Sequence, residues 1–576
     1  MQRIKDHKTP YLIDPFHHLG PKRKRLLDSS WAGVFRRYIR PILPVHLLAQ
    51  HFSHDTGRPT NELVAMMGAM ILQQMHDLTD EETQEQSAFN IQWHYALDIT
   101  TESDKDAYVC LKSLWNMRHI MTENGLYEEV FKAVSDHLSK VFEVDTRLQR
   151  IDSVHIFSNM RHLGRIGIFT ATIQKFLRNL KRHHPDLFET LDKSLRDKYL
   201  SKGKEAVFSM VKPSESARTL REVAGDLFTV VEGFRVYPEV RSMTSYQLMV
   251  RVLKEQCTIK EDKNTLKVEI KSNKEVPSDS LQNPSDPDAG YDGHKGKGYQ
   301  AQIAETYTKA EGDDTLRIIT HVKVQPAHES DAKAVEPYLE DVQERQMKPL
   351  EVLADSLYGS DGNCELAKEK GVDLVSPCMG APPRGERTLS DFEFHEDGRI
   401  AHCPMGHEPI KTKHKKNRFT ALFDARSCEG CPYEGGCPAK KGERGYYVRY
   451  DKKSMRLAQR RAAEGTEEFR DRYRFRAGIE GSISELDRKT GVKKLRVRGK
   501  KAVRFCVFLK ATGLNVFRVA AYRRKKWKRK ESLATGVMGS RLVMVGSLID
   551  VLVWRRMWAR LKGRFGFESQ DVVLAA

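Results

Sequence analysis

The chain has 576 residues, which is long enough for a large core and several domains. Lys and Arg outnumber Asp and Glu by 97 to 78, and between Arg488 and Lys530 there are 18 basic residues and no acidic one. This asymmetry indicates a polyanionic partner, most often nucleic acid, although a solvated basic tail has the same composition.

The same composition argues against a secreted or membrane protein. Nine cysteines, an odd number, do not fit a secreted disulfide framework. Met1–Arg25 is charged and lacks the apolar stretch of a secretory signal. The longest apolar run, Leu542–Trp554, is too short to span a bilayer and contains Asp550. We therefore expect a cytoplasmic protein that makes no membrane contact.

Residues 1–145 are predicted to form a helical domain. Asn61–His76 has apolar residues at helical spacing, and Thr79 with Glu82 forms a capping box for the next helix. Two short helices with a tight join are typical of a helix-turn-helix unit, so we interpret this domain as DNA-binding. The same join also occurs in helical domains that bind no DNA.

The rest of the chain alternates predicted strands, helices and loops. We divide it into a first core strand (146–160), a helical insertion (161–255), a linker or loop (256–298), a continuation of the core (299–376), an irregular cysteine-containing insertion (377–450), a helix with a basic segment (451–530) and a C-terminal helical segment (531–576).

Two aspartates lie in strands that are otherwise suited to burial. Asp152 interrupts the strand Leu148–Phe157, and Asp355 ends the strand Leu350–Asp355. A buried carboxylate is costly unless a metal or a partner holds it. If the two strands are neighbours, a following helix can bring Glu480 to the same sheet edge. Three such carboxylates can hold two Mg²⁺ (or Mn²⁺) ions about 3.5–4 Å apart for chemistry at a phosphodiester.

Arg470–Arg498 is predicted to be one helix. Residues three, four, seven and eight apart stack on a helical face, which places Tyr473, Arg476, Glu480 and Arg488 together. A carboxylate set between two arginines and a tyrosine suits a site that acts on DNA phosphates. A solvated amphipathic helix with surface salt bridges has the same pattern.

At these residues the sequence resembles a known family. The stretches IDSVHIFSNM, YDGHKGKGYQAQIAET, ADSLYGSDGN and YRFRAGIEGSISELDRKTG are similar to the signature blocks of bacterial insertion-sequence DDE transposases, in that family's order. Residues 61–99 also resemble the N-terminal domain of these transposases. The resemblance implies an α/β RNase H-like catalytic core, a mixed five-stranded sheet with flanking helices, joined to an all-helical N-terminal domain and carrying a helical insertion.

The resemblance also assigns roles to single residues. It implies that Asp152, Asp355 and Glu480 are the catalytic metal ligands. It implies further that Tyr473 and Arg476 contact phosphates at the transposon end, since the family has Tyr, Arg and Glu at this spacing.

One position departs from the family's pattern. A Lys usually follows the glutamate with six residues between them, but here that position is Asp487. Arg488 is one residue later and still on the face of Glu480 in a helix, so we expect it to bind DNA in place of that lysine.

A glycine-rich loop and a histidine are further candidates. Tyr291–Tyr299 presents His294, Lys295 and Lys297 among glycines, and we expect these three side chains to contact DNA phosphates; a flexible entry to the next strand is the alternative. His328 lies near the metals in one interpretation and is a capping or core histidine in the other.

Four cysteines suggest a second metal site. Cys403, Cys428, Cys431 and Cys437 fall within 35 residues. The pair at Cys428 and Cys431 can clamp Zn²⁺, and the other two would complete a closed tetrahedral site. The long first gap and the absence of a second such pair make free thiols an equal alternative.

Together these features predict a transposase that cuts its element from DNA and pastes it elsewhere, by metal-dependent phosphodiester hydrolysis and strand transfer. The expected partners are the terminal inverted repeats and the target DNA, bound by a homodimer or higher oligomer. Two other classes stay open: a catalytically inactive, transposase-derived DNA-binding protein, and an RNase H-like structure-specific nuclease that joins no strands.

Overall fold

A computed structural model describes residues 1–529 except residues 8, 10, 102, 201–210, 263–264, 310–314 and 382–384. The predicted C-terminal helical segment, 531–576, with its apolar run Leu542–Trp554, lies outside the described residues.

The first 145 residues of the chain are helical. The α-helices are α1 (Pro21–Ser29), α2 (Trp31–Val34), α3 (Val45–Ala49), α4 (Leu63–Met75), α5 (Asp80–Phe89), α6 (Ile91–Leu97), α7 (Asp104–Ala107), α8 (Leu111–Glu123) and α9 (Leu126–Val141), with a π-helix at Phe35–Ile39 and a 3₁₀ turn at Arg40–Ile42. The predicted capping box is confirmed: the Thr79 hydroxyl accepts from the Glu82 N–H, and the Glu82 carboxylate accepts from the Thr79 N–H. It begins α5.

A central mixed sheet follows. Its strands are β1 (Leu148–Ile156), β4 (Gly290–Asp292), β5 (Gly296–Thr306), β6 (Ile319–Pro326), β7 (Glu351–Leu353) and β8 (Asp373–Val375). The order is β4-β5-β1-β7-β8, with β6 also paired to β5. β5 runs antiparallel to β1 and to β6, whereas β1, β7 and β8 are parallel. The connections carry α10 (Arg165–His183), α11 (Pro185–Glu189), α12 (Lys193–Leu200), α13 (Pro213–Phe234), α14 (Pro238–Arg241), α15 (Thr244–Gln256), a hairpin of β2 (Cys257–Asp262) and β3 (Thr265–Ile270), a 3₁₀ turn (Asp331–Ala334), α16 (Val335–Glu344) and α17 (Asp361–Glu369).

Both faces of this sheet are covered. Successive side chains of a strand point to opposite faces, so Ile151 packs with Val335 and Tyr338 on the α16 side. Val154, on the other face, belongs to the large core that also contains the N-terminal helices. The layout is therefore a sheet between two helical layers.

The region 377–450, predicted to be irregular, is instead largely β-structure. A four-stranded antiparallel sheet has the order β11-β12-β14-β13, beside a hairpin of β9 and β10. Alternating burial in β12 supplies its core, with Phe419, Ala421 and Phe423 buried and the residues between them more exposed. The bounds are β9 (Glu393–Phe394), β10 (Ile400–His402), β11 (Lys411–Lys415), β12 (Arg418–Phe423), α18 (Ala425–Cys428), β13 (Lys440–Gly442) and β14 (Gly445–Asp451), after a 3₁₀ turn at Leu389–Asp391.

The stretch Arg470–Arg498, predicted to be one helix, is broken. α19 (Lys452–Glu464) and α20 (Glu467–Tyr473) lead to a 3₁₀ turn, Arg474–Ala477, before α21 (Gly478–Thr490). The Arg150 guanidinium donates to the Phe475 carbonyl at 2.6 Å, which satisfies an oxygen at the break. A Cβ on Gly478 would lie 2.1 Å from Arg150 Nη1, so a larger residue there would displace this guanidinium from its contacts.

The last described helix, α22 (Lys500–Arg529), is a core element. By length and composition it could cross a membrane, but 78% of its apolar window is buried, and a buried core helix passes the same test. Gly513 approaches α4 so closely that a Cβ there would lie 2.7 Å from the Met75 Cβ.

Several cations of the basic segment are paired inside the protein. Lys510, 1% exposed, bonds to Asp77 at 2.8 Å, and Arg518 lies 2.8 Å from the buried Glu305. These side chains are therefore withdrawn from the basic surface that the sequence suggested.

Candidate active site

The three predicted catalytic carboxylates converge on one guanidinium. Arg476 Nη2 lies 2.8 Å from Asp152 Oδ2 and 3.9 Å from Asp355 Oδ2, and its Nη1 lies 2.6 Å from Glu480 Oε1. Asp152 comes from β1 and Glu480 from α21, whereas Asp355, predicted to end a strand, lies two residues beyond β7. The positively charged guanidinium of Arg476 is thus the shared partner of all three carboxylates.

Strand register brings the two aspartates together. In the parallel β1–β7 pair, Arg150 is opposite Leu353. Asp152 is two residues after Arg150 and Asp355 is two residues after Leu353. The two aspartates therefore lie side by side on neighbouring segments of the sheet. The sequence analysis made their meeting conditional on the two strands being neighbours, and the β1–β7 pairing meets that condition.

Asp152 is the most enclosed of the three carboxylates. Its residue is 8% exposed, whereas the Glu480 side chain is 66% exposed. Burial raises the pKa of Asp152 to about 6, although the positive charge of Arg476 opposes this rise. A buried carboxylate is costly unless a partner or a metal holds it, so Asp152 has the surroundings of a cation ligand.

A buried ionic network fixes α21 to the sheet. Glu305, fully buried, accepts from Arg150 Nη2 at 2.6 Å, from Arg518 Nη1 at 2.8 Å and from the Ser482 hydroxyl at 2.8 Å. The flanking guanidinium charges keep the pKa of Glu305 below its usual range in spite of burial. Because Ser482 is two residues beyond Glu480, this network sets the position of the third carboxylate.

Tyr473 lies beside Arg476, whereas Arg488 lies away from the three carboxylates. The Tyr473 ring stacks on Phe469 at 5.5 Å, and burial raises the pKa of its hydroxyl, while the charge of Arg476 lowers it. Arg488 is exposed in the last turn of α21. Asp487, the departure from the family's pattern, accepts from the Lys493 N–H at 3.0 Å and so closes the end of α21.

The three candidate side chains of the glycine-rich loop have different surroundings. The backbone N–H groups of His294 and Lys295 both donate to Asp292 at 2.7 Å, and both side chains are exposed. Lys295 Nζ also lies 3.2 Å from the hydroxyl of Ser153, the neighbour of Asp152. Lys297 instead donates to the Leu163 carbonyl at 2.5 Å, which ties the loop to the start of the helical insertion.

His328 lies under this loop and not among the carboxylates' partners. A Cβ on Gly290 would be 2.4 Å from its Nδ1. Within the described residues that nitrogen is buried and has no hydrogen-bond partner.

A fourth carboxylate near the site escaped the sequence analysis. Asp331, 5% exposed, accepts from Gln302 at 2.5 Å and from the Ser153 hydroxyl at 3.2 Å. Gln302 in turn accepts from the Tyr358 hydroxyl, three residues after Asp355. Burial raises the pKa of Asp331 despite the bond from Gln302. The signal available was its place three residues after His328, between a predicted strand and a predicted helix.

The four cysteines surround one small cavity. Cys403, Cys428, Cys431 and Cys437 line a space of about 30 Å³ together with His407. Burial raises the pKa of Cys428 to about 11, and the three neighbouring thiols add to this rise. Tight turns present two of them: the Gly406 N–H donates to the Cys403 carbonyl at 2.8 Å, and the Cys431 N–H to the Cys428 carbonyl at 3.2 Å.

Within the described residues no three or more His, Cys, Asp or Glu side chains are arranged closely enough to hold a metal ion. At the carboxylates the Arg476 guanidinium lies between the ligands. At the cysteines the thiols face a shared cavity without closing on one point. Both sets have the donor chemistry for a metal: oxygen ligands for Mg²⁺ and thiolates for Zn²⁺.

Comparison with protein families gives two matches. Residues 402–520 match the family described as "Transposase DDE domain", and residues 26–118 match "Transposase domain (DUF772)". The first range contains Arg476, Glu480 and the four cysteines, and the second spans most of the N-terminal helices. No curated protein and no solved structure matched the chain. Two transposase family models thus match separate parts of one chain whose signature carboxylates meet at one point, and these matches support an insertion-sequence DDE transposase.

Proposed function

We propose that this transposase moves its element by cut-and-paste, through metal-dependent hydrolysis of a phosphodiester and transfer of the freed 3′-hydroxyl to target DNA. The observation that carries the proposal is the meeting of Asp152, Asp355 and Glu480 on the single guanidinium of Arg476. An RNase H-like core belongs to the same proposal. The sheet has six strands and not the expected five, but its antiparallel β6, β5 and β1 beside the parallel β7 and β8, with carboxylates on adjacent segments, support it.

The metal ligands would be Asp152, Asp355 and Glu480. Mg²⁺ or Mn²⁺ bound by them would activate the attacking oxygen and stabilise the leaving oxygen of an in-line displacement. Arg476, which now neutralises these carboxylates, is placed to turn to a DNA phosphate beside them, with Tyr473 packed against it. Lys295 adds an exposed cation next to Ser153, so the scissile phosphate would meet positive side chains from two sides.

The proposed partners are the terminal inverted repeats and the target DNA, held by a homodimer or higher oligomer in the cytoplasm. The net charge of +19 supports a polyanionic partner. The helix-turn-helix interpretation receives less support, because α4 is almost wholly buried and offers little surface to DNA.

A structural Zn²⁺ at Cys403, Cys428, Cys431 and Cys437 is part of the proposal. The shared cavity and the two tight turns support it. Four protein ligands would close the site, so the ion would hold the fold of this region and take no part in the reaction.

Alanine substitution of each carboxylate tests the proposal. With Mg²⁺ and DNA carrying the repeats that flank the gene, Asp152→Ala, Asp355→Ala and Glu480→Ala should each abolish cleavage while DNA binding persists. Glu222→Ala, at an exposed glutamate of the helical insertion, is the matched control and should cleave normally. Strand joining is tested with pre-cut ends, since an end that lacks its 3′-hydroxyl should not be joined. A carboxylate variant that cuts at the wild-type rate would refute that residue's role.

A further inference from the structure

The sheet of β11, β12, β14 and β13 has two unlike faces. One is apolar, with Phe419, Ala421, Phe423, Val448 and Tyr450 in a core cluster. The register places the exposed cations on the other face. Lys413 is opposite Thr420, which is opposite Arg449, and Lys415 is opposite Arg418. The exposed cations of this cationic face are Lys411, Lys413, Lys415, Arg418, Lys440 and Arg449.

These cations lack compensation within the protein. Across the described ranges of the chain none of the six forms an ion pair, whereas Lys441, on the other side of β13, binds Glu429 at 2.8 Å. Asp451 is in register with Arg418, but its carboxylate accepts from the Ser454 N–H at 2.7 Å and begins α19. A row of uncompensated charge on a flat surface attracts a polyanion.

The sheet is anchored next to the segment that carries Asp355. β14 runs directly into α19, where Arg456 Nη2 binds Asp361 at 2.6 Å and Arg460 Nη1 donates to the Gly359 carbonyl at 3.0 Å. Both partners lie within six residues of Asp355. A ligand on the cationic face is therefore held by the same body that carries the carboxylates.

We propose that this cationic face binds the phosphate backbone of duplex DNA that the enzyme processes, an inference that rests on the proposed function. From Lys411 to Lys415 the strand spans about 14 Å. One DNA strand presents about four phosphates over that length of helix axis. Arg449, whose guanidinium lies 5.8 Å from the Tyr447 ring, continues the row across the sheet.

The salt dependence of DNA binding tests this surface. We would compare the full-length protein with the triple variant Lys411→Gln, Lys413→Gln, Lys415→Gln, using duplex DNA, EDTA and a series of KCl concentrations. The charge-matched control is Lys193→Gln, Lys348→Gln, Lys368→Gln, at exposed lysines outside this sheet. Each phosphate contact adds about 0.9 to the slope of log K against log salt, so the test variant should lose about 2–3 and the control should not change.

Two results would overturn the inference: an unchanged slope in a folded triple variant, or an equal loss in the control. If the triple variant does not fold, the single change Lys413→Gln should still lower the slope by about 0.9. Wild-type protein that neither binds nor cuts repeat DNA would refute the proposed function itself. If the wild-type protein cleaves repeat DNA and the slope of the folded triple variant is unchanged, only the DNA-binding role of the cationic face is refuted.

Discussion

Arg476 Nη2 lies 2.8 Å from Asp152 Oδ2, a carboxylate oxygen that is also a ligand of the proposed metal ion. Burial holds the pKa of Asp152 at about 6, above its unfolded value near 4, so the folded state takes up a proton as the pH falls below 6. The proton competes with a metal ion for the same oxygen. We expect the Mn²⁺ affinity measured by calorimetry to fall about tenfold for each pH unit below 6 and to level off above 7. A constant affinity from pH 5 to pH 8 would contradict the assignment.

The buried charges around Glu305 predict a large effect on stability. Glu305→Ala would leave Arg150 and Arg518 buried without their shared partner. Loss of one member of a buried ion pair costs about 3–5 kcal/mol, so the free energy of unfolding should drop by that amount in urea titrations. Glu222→Ala, which removes an exposed pair with Arg218, should change it by less than about 0.5 kcal/mol. Equal small effects would show that the network is not a stabilising element.

Asp331 predicts an effect on the reaction that acts through other residues. It holds Ser153 and Gln302, which adjoin Asp152 and the Asp355 loop, and Asp331→Asn would remove the charge at nearly constant shape. Loss of such a supporting partner typically costs about 10–100-fold in metal affinity or activity. We expect a higher Mn²⁺ requirement for cleavage, with unchanged DNA affinity in EDTA. An unaltered metal requirement in the folded variant would show that Asp331 only packs.

Asp487 has a structural contact that the family comparison did not reveal. Restoring the family's pattern with Asp487→Lys would remove the acceptor for the Lys493 N–H. We expect a loss of about 1 kcal/mol in the free energy of unfolding and a reduced melting temperature. Asp487→Asn keeps an acceptor at that place and should be closer to wild type. Increased stability of the lysine variant would contradict this.

The cysteine cluster predicts one zinc ion per chain, measured by elemental analysis of protein purified without chelators. Replacement by Co²⁺ should give the visible absorption of a tetrahedral thiolate site. Cys428→Ser with Cys431→Ser should lose both signals and become protease-sensitive in residues 377–450, whereas Cys110→Ser, at an exposed thiol outside the cluster, should keep them. Metal-free protein whose four thiols all titrate freely in the native state would refute the site.

Much of the candidate active site could be predicted because it depends on local patterns. An aspartate inside an apolar strand signals a buried carboxylate, and a capping box is set by residues three apart; both Asp152 and α5 were recognised in this way. Long-range contacts gave no such signal. The break at Arg474–Ala477 depends on Arg150, which is over 300 residues away. The helical spacing of the surrounding residues therefore gives no sign of the break.

The charge pattern of the sequence could be interpreted only in part. Basic residues between 488 and 530 suggest a DNA-binding surface, but three of them, Arg504, Lys510 and Arg518, pair with Glu128, Asp77 and Glu305 from distant parts of the chain. The cationic face lies where the sequence looked irregular. The sequence of β11 has alternating lysines, as an exposed strand face would have. Short strands rich in Lys resemble loops, however, and only the pairing of β11 with β12, and of β12 with β14, shows that this segment is a strand.

The position of α22 has a consequence for synthesis on the ribosome. Its residues fill a core shared with the N-terminal helices, yet about 355 residues separate 145 from 500. At about 5–20 residues per second the N-terminal part waits roughly 20–70 s for the helix that completes it. During this interval its apolar surface is open to chaperones and proteases. A chain stopped before Lys500 should therefore be degraded, so that incomplete copies would not accumulate as DNA-binding competitors of the finished enzyme.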